Sequence, residues 1–182
     1  MIKRIVLGID RLSAIAAKAS GFFACVAMLL LLLNVMYDVI MRYVFNDVSI
    51  GMQELEWHLF AIVFMLGTPY AMQRDGHVRV DIIYDRCTPK YKAWVNLVGA
   101  LVFVLPFVGL VSYYGYDFTL NAYEMNEGSG DPGGLPYRWI IKSLIPLAFC
   151  LMGIAALGMI TFALRVLWGD ASYDSEHKEA LA

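Results

Sequence analysis

The sequence predicts an all-α integral membrane protein: four transmembrane helices, preceded by an N-terminal amphipathic helix or a helical extension of the first span. Three observations carry that reading. The 182-residue chain is 60 % hydrophobic and only 16 % charged, with a mean hydropathy of +0.62, too apolar for an ordinary soluble domain. Four long apolar segments run through it, each near the roughly 17 to 25 residues that a spanning helix needs. Its basic residues gather on alternate connections between those segments. The length suits one domain, 1–182, with no internal repeat.

The elements follow in order. In residues 1–18, Ile5, Ile9, Leu12, Ala16 and Ala19 recur at three- and four-residue spacing on one helix face. Arg4, Arg11 and Lys18 recur every seven residues on another. Such a helix either lies in the headgroup region with its basic face toward anionic lipid or continues the first span toward the cytoplasm. Asp10, Arg11 and Lys18 interrupt the apolar run too early for a signal peptide. The first span is expected at 19–41, around the uncharged stretch SGFFACVAMLLLLLNVMY. The second, 55–73, is at the lower limit of length and contains His58, so tilting or partial re-entry is open. The third, 93–116, and the fourth, 139–164, are clear. A short polar tail, 169–182, follows. Pro69, Pro106 and Pro146 lie inside spans two, three and four, where each removes a backbone donor and favours a kink.

Four spans put both termini on one side. If that side is the cytoplasm, it holds Lys3, Arg4, Arg11, Lys18, Arg74, Arg79, Arg86, Lys90, Lys92, Arg165 and Lys178, leaving only Arg42, Arg138 and Lys142 outside. The positive-inside rule therefore predicts cytoplasmic termini. The net charge of −2 gives no reason to expect nucleic acid.

Chemistry-bearing residues are sparse. Cys25, Cys87 and Cys150 are far apart and form no metal or disulfide pattern. A b-type haem needs two facing histidines, whereas only His58 lies near an apolar segment; His77 is in a loop and His177 in the tail. Glu54, Glu56 and His58 cluster at the start of span two. The simpler interpretation is an interfacial helix start with acids near the positive end of the helix dipole, rather than a proton or metal site. Asp38 and Arg42, four residues apart, share a helix face that Asn34 extends one turn deeper; an internal ion pair is expected. The loop segment RDGHVRVDII, Arg74 to Ile83, reads as a joint: Gly76 permits a tight turn, the arginines hold the loop inside, and Val78, Val80, Ile82 and Ile83 supply apolar contacts. GSGDPGG, in the outer loop, lacks the GK[ST] of a phosphate loop.

The stretches RYVFN (Arg42 to Asn46), Glu54 at the next helix start, LGTPYAMQRDGHVRVD (Leu66 to Asp81) and EGSGDPGGLPYRWIIKSLIPLAF together resemble the small, DctQ-like membrane subunit of tripartite ATP-independent periplasmic (TRAP) transporters. The likeness covers roughly Val39 to Leu157. Met52 and Gln53 depart from it, standing where the family often has an aromatic residue. The resemblance implies a non-enzymatic scaffold in the bacterial inner membrane, without cofactor or metal. Its partners would be a large DctM-like membrane subunit, a periplasmic solute-binding protein and the lipid bilayer. Uptake would be of an organic acid, driven by an ion gradient. Asp38, Arg42, Glu54, Gly76, His77, Arg79 and Asp81 are expected to serve structure or the subunit contact, and Glu124, Glu127 and Asp131, in the polar, acid-rich outer loop, docking of the binding protein. A four-helix anchor of a respiratory complex is the alternative.

Overall fold

The computed structural model describes residues 2–74 and 87–169. Within them the chain is helical: α1 (Ile2–Val44), α2 (Ile50–Gln73), α3 (Pro89–Gly99), a π-helical turn at Ala100–Val104, α4 (Leu105–Glu124) and α5 (Trp139–Trp168). Three stretches are long and apolar enough to cross a membrane: Arg4–Val44, Pro89–Glu124 and Trp139–Trp168. α2 is not among them. Its 24 residues suffice in length, but Gln53, Glu54, Glu56, His58 and Gln73 dilute its apolar character.

Residues 2–18 do not turn away from the first span. They continue it, so α1 is one helix of 43 residues, about 64 Å long at 1.5 Å per residue. Its packed face is also not the one that hydrophobicity suggests. Ile5, Leu12 and Ile15 are exposed, while Val6, Ser13, Ala17, Ser20, Ala24, Ala27, Asn34 and Asp38 are buried. From Ser13 to Ala27 that buried set alternates four- and three-residue steps, with a full heptad out to Val6 and to Asn34, and it consists almost wholly of small or polar side chains. In lipid, apolar side chains gain little by leaving the tails, so helices associate where small residues allow close approach. Gly21 marks one such approach: a Cβ there would fall 2.7 Å from the Tyr70 ring on α2.

α2 runs antiparallel to α1, and α5 lies between this pair and α3–α4. At one end of α5, Ala163 and Val166 pack on Ala93 and Leu97 of α3. Further along, Gly153 accepts Val108, and Gly115 of α4 sits against Ile145 and Pro146. Tyr123 and Trp139 meet edge to face at the other end, with ring centroids 5.4 Å apart.

The three prolines are accommodated differently. Pro69 is fully buried inside α2 and Pro146 stays within α5. Pro106 follows directly on the π turn, where the Leu105 N–H reaches the Ala100 carbonyl five residues back. The wider turn absorbs the backbone mismatch that the proline ring imposes on the preceding turn.

Candidate functional site

Two polar knots close the two ends of the bundle. The first is built on Glu54. Ser49 caps α2 by accepting from the Met52 N–H, so Glu54 falls in the second turn, not the first. Its carboxylate therefore does not serve the helix dipole, contrary to the expectation from sequence. It is buried and points at the loop between α4 and α5. There it accepts from the Ser129 hydroxyl at 2.5 Å, the Leu135 N–H at 2.6 Å and the Arg138 guanidinium at 3.2 Å. Glu54 lies one residue before the predicted span 55–73. The Ser129 and Leu135 hydrogen bonds, with a lesser contribution from Arg138, hold its carboxyl below the usual carboxylate range, outweighing the upward push of burial.

The loop's glycines are what allow this approach. A Cβ on Gly134 would fall 2.5 Å from the Ser129 Cβ and 2.8 Å from the Glu54 carboxylate; one on Gly51 would fall 3.2 Å from the Gly133 carbonyl. Gly133 itself has φ +84°, a left-handed conformation that glycine adopts freely. The loop also folds on itself. The Arg138 N–H donates to the Glu127 carbonyl at 2.8 Å and the Ser129 N–H to the Leu135 carbonyl at 3.0 Å. Lys142 pairs with the Glu127 carboxylate and lies 3.9 Å from the centroid of Phe118.

Of the three residues that sequence grouped here, Glu54 and His58 do not meet through their side-chain charges. His58 Nδ1 approaches the Glu54 carbonyl at 2.6 Å, and its ring stacks beside Trp57. Asp38 and Arg42 do form the expected pair on α1. One turn deeper, the Asn34 amide donates to the Met52 carbonyl at 2.9 Å, tying α1 to the start of α2. Glu124 and Asp131 are exposed, whereas Glu127 is half-buried and engaged by Lys142. Gly76, His77, Arg79 and Asp81 lie outside the described residues.

The second knot went unseen in the sequence. Asp10 of α1 pairs with Arg165 of α5 at 2.9 Å and accepts from the Thr161 hydroxyl. Ser13, one turn on, is fully buried against Gly158, where a Cβ would fall 2.3 Å from its Oγ and 3.2 Å from the Gln73 amide oxygen of α2. Three helices thus converge on one glycine. The available signal was a lone acid in a basic segment and a lone arginine at the far end of the last span. Nothing local in the sequence joins residues so far apart.

Both knots hold helices and loops, each through a hydroxyl and a cation bound to one carboxylate. Among the described residues no group of three or more His, Cys, Asp or Glu gathers to hold a metal ion.

Comparison with known proteins agrees with this structural character. The chain is 29 % identical over 120 residues to the sialic acid TRAP transporter permease protein SiaT of Haemophilus influenzae, covering 63 % of this chain and 18 % of that protein. It is 25 % identical over 120 residues to the C4-dicarboxylate TRAP transporter small permease protein DctQ of Pseudomonas aeruginosa, covering 62 % of this chain and 57 % of the relative. A putative TRAP transporter small permease protein of Haemophilus influenzae is 25 % identical over 114 residues, 62 % of this chain and 71 % of its own length. The chain thus matches less than two thirds of the length of the first two relatives. None of the three is a respiratory anchor. Residues 31–166, well over half the chain, match the family model of the DctQ component of tripartite ATP-independent periplasmic transporters, and the chain belongs to that family.

Proposed function

We propose that this chain is the stationary small permease subunit of a TRAP-type uptake system, packing on a large DctM-like membrane subunit that carries the solute. It performs no chemistry of its own. The observation that supports this reading best is the separation of the two knots. From Glu54 to Gln73, α2 rises about 29 Å, close to the roughly 30 Å of a bilayer's hydrocarbon core. Polar groups sit at both ends, and close contacts such as Gly21 on Tyr70 fill the space between. An α2 anchored in this way makes a fourth crossing, despite its lower hydropathy. With four crossings and the bias of basic residues, the Asp10 knot and both termini are cytoplasmic and the Glu54 knot is periplasmic.

The solute is an organic acid, taken up from a periplasmic binding protein at the expense of an ion gradient. The two named substrates among the relatives, sialic acid and C4-dicarboxylates, are both carboxylates. The α4–α5 loop, held in one shape by Glu54 and displaying Glu124 and Asp131, is the docking surface for that binding protein. The joint at Gly76, His77, Arg79 and Asp81 contacts the large subunit on the cytoplasmic side.

Topology and assembly test the proposal together. A single cysteine at Ser129, in a chain lacking its native cysteines, is expected to react with a membrane-impermeant reagent from the periplasm. Reaction only from the cytoplasm rejects the orientation. Co-expressed with a large TRAP subunit from the same operon, the chain is expected to co-purify and to be required for uptake. Full uptake without it rejects the role.

A further inference from the structure

The N-terminal part of α1 precedes the residues matched to the family, and among the described residues its outer face has no partner. At 3.6 residues per turn, Arg11, Ile15, Lys18 and Phe22 fall within about 60° of one another. Ser13, Ala17, Ser20, Ala24 and Ala27, which pack on α2 and α5, are centred on the opposite side of the same helix. The stripe is therefore as far from the rest of the bundle as α1 permits. Ile15 is 66 % exposed and Phe22 64 %, and both cations are exposed. Among the described residues, neither Arg11 nor Lys18 has an ion-pair partner. The adjacent acid, Asp10, is occupied by Arg165 and Thr161.

Depth is set by the Asp10 knot. Arg11 adjoins Asp10 and so lies level with Arg165, at the polar end of the bundle. Lys18 lies about 10 Å further along the axis, at the level of apolar packing. A lysine at that depth extends its ammonium back toward the headgroups while its stem covers apolar surface, and side chains on a helix already lean toward its N-terminus. Arg11 and Lys18 thus converge on one headgroup layer, and Ile15 and Phe22 line the path below it.

We propose that this stripe is a binding site for an anionic phospholipid, the phosphate held by Arg11 and Lys18 and an acyl chain lying along Ile15 and Phe22. Charge complementarity selects the occupant: two cations over an apolar track fit a negative headgroup with its tail attached. The preference depends on the stripe alone and not on the transport role or on which leaflet it faces.

The full chain, purified in neutral detergent, is titrated with phosphatidylglycerol or phosphatidylcholine of the same acyl chains, and bound lipid is counted by native mass spectrometry. Each cation near an anionic headgroup contributes roughly a factor of five, so about a twenty-five-fold preference for phosphatidylglycerol is expected. Arg11→Gln with Lys18→Gln should reduce it to about threefold or less, whereas Arg11→Lys with Lys18→Arg should keep it. Lys90→Gln, which removes an exposed cation elsewhere, should leave it unchanged. Retention of the preference in the double glutamine variant overturns the proposal, as does an equal loss in Lys90→Gln, which would make it an effect of overall charge. A photoreactive side chain placed at Ile15 in the otherwise native chain should cross-link phospholipid in cell membranes. A protein adduct there would mean that a subunit covers the stripe and would also overturn it.

Discussion

At one end of the bundle a single carboxylate, Glu54, holds a loop largely through that loop's backbone and glycines. At the other, Asp10 of α1 binds Thr161 and Arg165 of α5 through side chains, and Ser13 of α1 and Gln73 of α2 close on Gly158. The first arrangement orders a segment that could otherwise move; the second fixes how rigid elements are spaced. A defect in the first should therefore stay local, while a defect in the second should spread along every helix that meets there.

The largest effect is expected from Gly158→Val. Even one added carbon meets Ser13 Cβ at 2.7 Å, on the rigid part of that side chain. Overpacking of this kind costs about 3 kcal/mol, and the thermal melt in detergent should fall accordingly. The milder Gly158→Ala should be largely restored by adding Ser13→Gly, which vacates the space. No restoration would mean that α1 does not rest on α5 at that point.

Asp10→Ala comes next. It removes the carboxylate that Arg165 and Thr161 both bind at a partly exposed site, for a loss of about 2 kcal/mol in the same melt. Amide exchange should rise along the first three turns of α1 but not in the α4–α5 loop.

Glu54→Gln should show the reverse pattern. It keeps the size of the side chain but loses the charge that Arg138 faces and puts an amide donor where a third acceptor contact was. Proteolysis between Gly128 and Gly134 should rise about tenfold while the global melt changes little. The pH dependence follows from the lowered carboxyl. A group depressed in the folded state contributes stability above its unfolded value and loses it as pH falls through the folded one. Loop protection in the native chain should be flat from pH 8 to pH 5 and fail only below the ordinary value of 4.5. In Glu54→Gln that acid step should be absent.

The smallest effect is expected from Asp131→Asn at the exposed loop tip, within about 0.5 kcal/mol in stability. If this variant opens the loop as far as Glu54→Gln does, the loop is held at its tip and not by the buried carboxylate.

Sequence made much of this molecule legible, because long uncharged stretches have few structural alternatives. The Asp38–Arg42 pair was equally readable, being one helical turn within one element. Which face of α1 packs was not legible from hydrophobicity, for a physical reason. Ile5, Ile9 and Leu12 look like an interior face by the logic of water, but in lipid the interior is where Ser13, Ala17 and Ser20 let backbones come close. Glu54 stood out in the sequence, yet its partners Ser129, Leu135 and Arg138 lie some eighty residues away, where no periodicity reaches. The Asp10 knot has the same long-range character.

The π turn bears on how this helix tolerates changes of length. The side of α3–α4 that faces α5 is marked by Ala93, Leu97, Ala100, Val108, Gly115 and Ala122. From Ala93 to Ala100, and again from Val108 to Gly115 and Ala122, the interval is one heptad. Between Ala100 and Val108 it is one residue longer. The π turn takes up that surplus residue, so the helix carries an insertion without losing its seam. Deleting Phe103 should then be accommodated, leaving a regular helix that still presents Val108 to Gly153. Deleting Leu110 instead should rotate Gly115 and Ala122 by about 100° out of the seam and separate α4 from α5. Along this helix, permissiveness to a missing residue is confined to one turn, just ahead of Pro106.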